Sequence, residues 1–158
     1  MSRQQIAHVV EGIVSGGQTG VDRAALDFAL DRGIPCGGWC PDGRRAEDGR
    51  IPDRYPLRQT HDIDYAQRTE FNVRDSDGTL ILARGKLKGG TSLTATRARR
   101  MKKPLLVVDL DFVPDFASIR DWIAVNEIRV LNIAGPRESQ TPGIGDRTTA
   151  FLAELFPG

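Results

Sequence analysis

The sequence predicts one α/β domain over residues 1–158, with three layers: helices on both faces of a mostly parallel five-stranded sheet. Three observations carry that reading. Short apolar runs alternate five times with segments of helical periodicity, the pattern of successive βα units. Three of the strand-to-helix joints are built alike, around Gly16-Gly17, Gly89-Gly90 and Gly135-Pro136. A chain of 158 residues with 39% hydrophobic side chains is long enough to bury a full core without disulfide or metal staples.

The first unit runs from Gly12 to Gly33, GIVSGGQTGVDRAALDFALDRG. Ile13-Val14 reads as a strand, and Val21, Ala24, Ala25, Phe28 and Ala29 recur at helical spacing. Glycines in the intervening turn let the backbone approach a bound group closely. Free N–H groups at the helix start, with the positive end of the dipole, favour an anion there. Gly16, Gly17, Gln18, Thr19 and Gly20 are therefore candidate phosphate contacts. The loop lacks the Lys-Ser/Thr ending of a Walker A motif and is not G-x-G-x-x-G. A structural reading stands beside the functional one: Thr19 as N-cap, with Asp22 reaching back as in a capping box. Asp22 joins the candidates on condition that an Arg, a metal or a sugar hydroxyl separates it from the anion.

Gly33 suits a helix stop, and Ile34 to Trp39 reads as the second strand. Cys40 to Leu57, CPDGRRAEDGRIPDRYPL, has no usable periodicity. So long an irregular connection is uncommon in a compact domain and, when ordered, is usually functional. Arg44 and Arg45 are candidate anion ligands there, with Glu47, Asp48 and Asp53 as possible ion-pair partners; a self-paired surface loop is the alternative.

Asp64 to Arg74 reads as a weak helix with Tyr65, Ala66, Thr69 and Val73 inward, ended by Asp75-Ser76-Asp77-Gly78. Thr79 to Ala83 is a buried third strand. The second junction follows, with Arg84, Lys86 and Lys88 leading into Gly89-Gly90-Thr91-Ser92 and a helix to about Met101. Cations beside helix-start N–H groups make Gly89, Gly90, Thr91 and Ser92 candidate phosphate contacts. The later cluster Arg97, Arg99, Arg100, Lys102 and Lys103 needs no ligand, because cations offset the negative end of the dipole.

Pro104 to Val108 is the fourth strand, and Phe116, Ile119, Trp122 and Ile123 give the fourth helix its core stripe. Ile128 to Ala134 is the fifth strand, leading to Gly135-Pro136-Arg137-Glu138-Ser139. Arg137, Glu138 and Ser139 complete the candidate list, with an Arg137–Glu138 pair as the structural alternative. Thr141 is placed to cap the last helix with Pro142 at its first position, and Ile144, Thr148, Phe151, Leu152 and Leu155 line its inner face. Sheet order 2-1-3-4-5 fits this alternation and sets strands 1 and 3 side by side, so that their glycine loops flank one crevice.

Composition narrows the partners. With 22 basic and 21 acidic side chains there is no broad electrostatic case for nucleic acid or an anionic membrane. No apolar stretch is long enough to span a bilayer, and MSRQQIAHVV lacks a signal-peptide pattern, which points to the cytoplasm. Cys36 and Cys40, spaced C-x-x-x-C, fit neither a redox nor a zinc motif, and His8 and His61 add no metal pattern, so free thiols and no metal site are expected.

SGGQTGVDRAALDFA, GGWCPDGRRAEDGRIPDRYPL, NVRDSDGTLIL, KGGTSLTATRA and LNIAGPRES resemble the family named putative molybdenum cofactor carrier proteins, from about Ile13 to Phe156. That family is similar to the lysine-decarboxylase-like (LOG) proteins and other members of the SLOG superfamily. The resemblance implies a Rossmann-like fold that binds nucleotides or related phosphate compounds through paired glycine loops. It also implies a homo-oligomer and names a cargo, the molybdenum cofactor (molybdopterin), whose phosphate suits a helix N-terminus. The chain departs from the LOG phosphoribohydrolases, which carry a Glu in P-G-G-x-G-T-x-x-E. Here Gly89-Gly90-Thr91-Ser92-Leu93-Thr94-Ala95-Thr96 has no carboxylate, and Thr94 and Thr96 supply neither an acid nor a base. The expectation is a carrier or binding protein for a phosphorylated small molecule with no catalytic residue assigned. A nucleotide-processing enzyme and a nucleotide-sensing module are the alternatives.

Overall fold

The computed structural model describes residues 10–158, so the N-terminal stretch and His8 lie outside the described residues. Its main sheet holds five parallel strands: β1 (Gly12–Val14), β2 (Cys36–Gly37), β7 (Gly78–Ala83), β8 (Leu105–Asp109) and β9 (Val130–Ala134). Between β2 and β7, β3 (Trp39–Cys40) pairs in parallel with β6 (Arg58–Gln59), and β4 (Arg45–Ala46) forms a hairpin with β5 (Gly49–Arg50). The helices are α1 (Val21–Arg32), α2 (Tyr65–Arg74), α3 (Gly89–Arg100), α4 (Phe116–Val125) and α5 (Ile144–Leu155). The predicted second strand is thus split: Gly38 ends β2 and sends the chain into a second, two-stranded sheet.

The sheet order is β2-β1-β9-β7-β8, which corrects the expected 2-1-3-4-5. The last strand inserts between β1 and β7, with Ile13 opposite Leu131 on one side and Leu80 opposite Ile133 on the other. Starting the count at β9 and continuing into β1 turns the order into 3-2-1-4-5, that of a Rossmann sheet. The arrangement is therefore Rossmann-like with its first βα unit moved to the chain's end.

Alternation along β7 sorts the core into two layers. Leu80 and Leu82 face a cluster with Val21, Phe28, Ile119, Ile123 and Leu152, while Ile81 and Ala83 face Ala95. Accordingly α1, α4 and α5 cover one face, and α2 packs on α3 over the other. Asn132, buried in β9, donates from Nδ2 to Thr79 Oγ1 in β7 at 3.2 Å, which satisfies two polar groups at the inserted strand. The 41–57 segment is ordered by its own small core of Leu26, Cys40, Ile51 and Tyr55. Cys36 and Cys40 are free thiols, and burial pushes both above the ordinary thiol range.

Candidate functional site

The helix after β9 lies on one face and the helix after β7 on the other, so the topological switch falls between these two adjacent strands. Ligands of open α/β sheets bind outside the strands' carboxyl ends at such a point. Two clefts open there, of about 500 Å³ and about 220 Å³, and Thr91 and Gln140 line both. The larger runs along Arg84, Lys86 and Lys88 to Thr141. The smaller is walled by Gln18, Asp22, Arg68, Gly90 and Arg137.

The three glycine junctions meet three different fates. At the second, α3 starts at Gly89 with Lys88 as an extended N-cap that contributes no side-chain hydrogen bond. Lys88 O accepts from Thr91 N and Ser92 N at 3.2 and 3.3 Å, which leaves the amides of Gly89 and Gly90 without a partner among the described residues. No acidic side chain stands in the first turn, and a Cβ on Gly90 would meet nothing within 4 Å. This is an uncapped helix start opening into a cleft, the arrangement that holds an anion. Ser92 lies two positions beyond the amides that face the opening and lines neither cleft.

At the first junction the helix start is closed. The N-cap of α1 is Gly20, not Thr19, and no side chain caps it. Val21 N donates to Pro136 O at 3.3 Å, and a Cβ on Gly20 would lie 2.5 Å from Pro136 O and 2.8 Å from Glu138 N. The 136–138 backbone therefore occupies the space where a phosphate was expected at Gly20. Gly17 is covered by Ile51 and Leu57. Gln18 reaches the smaller cleft, with its Oε1 accepting from Thr19 N and Glu47 N at 3.0 and 2.9 Å.

The third junction carries its own anions. Glu138 accepts at Oε1 from Gly145 N at 3.0 Å and at Oε2 from Gly143 N, so a carboxylate caps α5. Gly143 is the N-cap there, and the helix starts at Ile144, two residues beyond the expected Pro142. Ser139 and Thr19 both donate hydroxyl hydrogen bonds to Glu47, Ser139 N adds one at 3.2 Å, and Arg137 Nε stands 3.4 Å away. These donors hold the Glu47 carboxyl below the ordinary range, the two hydroxyls contributing most. Thr19, Glu138 and Ser139, expected beside the ligand, thus bind or supply internal carboxylates instead. Arg137 serves both, paired with Glu47 and lining the smaller cleft.

Arg44 is likewise placed elsewhere. Its guanidinium donates to the carbonyls of Ile51, Pro52, Tyr55 and Leu57 at 2.8–3.2 Å, which ties the 41–57 segment together from inside. The ion pairs of that segment also differ from expectation. Asp48 pairs with Arg23 at 2.6 Å and Asp53 chiefly with Arg50 at 2.7 Å.

Asp22 has the cationic neighbour its candidacy required. Arg68 Nη1 donates to Asp22 Oδ2 at 3.1 Å, and the carboxylate side chain is 4% exposed. Burial pushes the Asp22 carboxyl above its ordinary range, against the opposing pull of Arg68. The sequence reading did not single out Arg68. Its signal was an Arg one position before Thr69 in a helix whose inner face carries small polar residues. Among the described residues, no three His, Cys, Asp or Glu side chains gather closely enough to hold a metal ion, and no helix is long and apolar enough to cross a membrane.

Known proteins share the fold. The curated proteins include none that matches the chain. A crystal structure of a protein from Syntrophus aciditrophicus SB, named "Putative molybdenum carrier protein", superposes with a TM-score of 0.91 at 50% identity, covering 95% of this chain and 96% of that one. Residues 13–156 match a family described as the circularly permutated YpsA SLOG family, in line with a Rossmann order that starts at the last strand. The chain belongs to the circularly permutated YpsA SLOG family.

Proposed function

We propose that the protein is a binding or carrier protein for a phosphate-bearing small molecule, held at the start of α3. One observation carries the reading: of the three glycine junctions, that of α3 alone presents two adjacent free helix-start amides to a cleft with no acidic side chain in its first turn. Phosphate there meets the Gly89 and Gly90 amides and the positive end of the helix, with Thr91 beside it and Gln140 opposite. Arg68 and Arg137 line the remaining wall and suit planar, bidentate contacts to oxygen. The name of the Syntrophus relative makes the molybdenum cofactor the cargo to test first. With no cluster of metal-ligating side chains among the described residues, the grip falls on the cargo's phosphate and organic part.

A carrier stabilises its ligand's ground state, whereas an enzyme concentrates stabilisation on the transition state. Mass spectrometry of the native protein should find a retained phosphorylated compound, released unchanged on denaturation. The raised carboxyl of Asp22 in the smaller cleft favours a second reading, hydrolysis of a nucleotide's glycosidic bond. Incubation with nucleoside monophosphates separates the two. Free base released at about 1 s⁻¹ and lost in Asp22→Asn would establish the enzyme and overturn the carrier.

A further inference from the structure

We infer that the ligand carries two phosphoryl groups in tandem: one on the Gly89 and Gly90 amides with the Thr91 hydroxyl, the other beside Lys86 and Lys88 in the larger cleft. This rests on the phosphate reading above and narrows the ligand to diphosphate-bridged compounds.

Thr91 is the first ground. It is 6% exposed, sits at the third position of α3 and lines both clefts. Thr94 and Thr96 return their hydroxyls to the carbonyls of Gly90 and Ser92, one turn earlier. For Thr91 the residue four positions back is Leu87, which precedes the helix, and the Thr91 hydroxyl makes no hydrogen bond among the described residues. The side chain is thus held in place by its burial while its hydroxyl stays open to the clefts, free to bond a ligand oxygen.

The second ground is charge. Cations at a helix N-terminus oppose the dipole, yet Lys88 is the N-cap of α3, Lys86 precedes it by two residues, and no acid offsets them in the first turn. Both lysines are exposed along the larger cleft and form no ion pair among the described residues, whereas Arg84 is neutralised by Asp111 at 2.6 Å. Such a local conflict marks a place where an outside anion completes the structure. One phosphate on the helix start leaves the lysines unanswered. A second, joined through a bridging oxygen, answers both.

Calorimetric titration at constant ionic strength with inorganic phosphate and inorganic pyrophosphate tests this. Pyrophosphate should bind more tightly by at least about tenfold. Lys86→Gln/Lys88→Gln should shrink that ratio towards one. Arg99→Gln/Arg100→Gln, with the same charge loss at the far end of α3, should keep it. Equal affinity for the two anions would overturn the tandem site and leave the phosphate reading standing. An equal loss of the ratio in both double variants would reduce the effect to overall charge and overturn it too. No binding of either anion would remove the phosphate reading and this inference with it.

Discussion

Arg68 occupies the space in which residue 16 would carry a side chain. A Cβ built on Gly16 falls on Arg68 Nη1 and lies 2.7 Å from its Cζ and 2.9 Å from Asp22 Oδ2. The glycine after β1 therefore makes room for the ion pair that walls the smaller cleft, rather than for a ligand's phosphate.

Breaking that pair leaves a buried carboxylate alone. Arg68→Met should lower the unfolding free energy by about 3 kcal/mol near neutral pH, read from urea denaturation. A loss within measurement error would show that the pair contributes little.

The pH dependence of Asp22 has a definite sign. Its folded value lies above 3.8, so the native state keeps the proton longer than the unfolded chain. Stability from this group is greatest below pH 3.8 and declines as pH rises through the folded value. Asp22→Asn should lack that decline, and parallel urea midpoints across the window would contradict the assignment.

Glu47 has the opposite sign. Its folded value lies below 4.5, so its stabilisation is complete above pH 4.5 and is lost as pH falls through the folded value. Glu47→Gln should be less stable than the parent above pH 4.5 and converge with it in acid. Thermal unfolding at several pH values checks this. A constant difference would mean that Thr19 and Ser139 do not depend on the charge.

Two glycines at helix starts should respond in opposite directions. Gly20 has φ 82° and backbone atoms within 3 Å of its absent Cβ, so Gly20→Ala should cost at least about 2 kcal/mol. Gly90 has open space, and Gly90→Ala should stabilise α3 by about 0.5–1 kcal/mol. Equal effects would erase the distinction between a closed and an open junction.

Much of this organisation was legible in the sequence. The five main strands and five helices follow from apolar runs such as Leu80-Ile81-Leu82 and helical stripes such as Ile144, Thr148, Phe151, Leu152 and Leu155. Sheet order was not, because right-handed crossovers permit several neighbours for β9 and no local residue names one. The nearest clue was Asn132, a polar group in an apolar strand that needed a partner, and Thr79 supplies it. The glycine junctions look alike as sequences because the difference lies in distant residues. Pro136 closes one, Glu138 caps another, and nothing among the described residues covers Gly90. Arg44 reads as a free cation until the carbonyls of Ile51, Pro52, Tyr55 and Leu57 fold around it.

The phosphate site proposed at the start of α3 depends on the open space beside Gly90. Gly90→Asp sets a carboxylate in open space beside the free amides, where it should strengthen the helix by about 0.3–1 kcal/mol while competing with the ligand. Calorimetric titration of inorganic phosphate into the parent and the variant is the direct measurement. Binding to the parent and none to a folded Gly90→Asp is the predicted result. Equal affinity in the two proteins would contradict it.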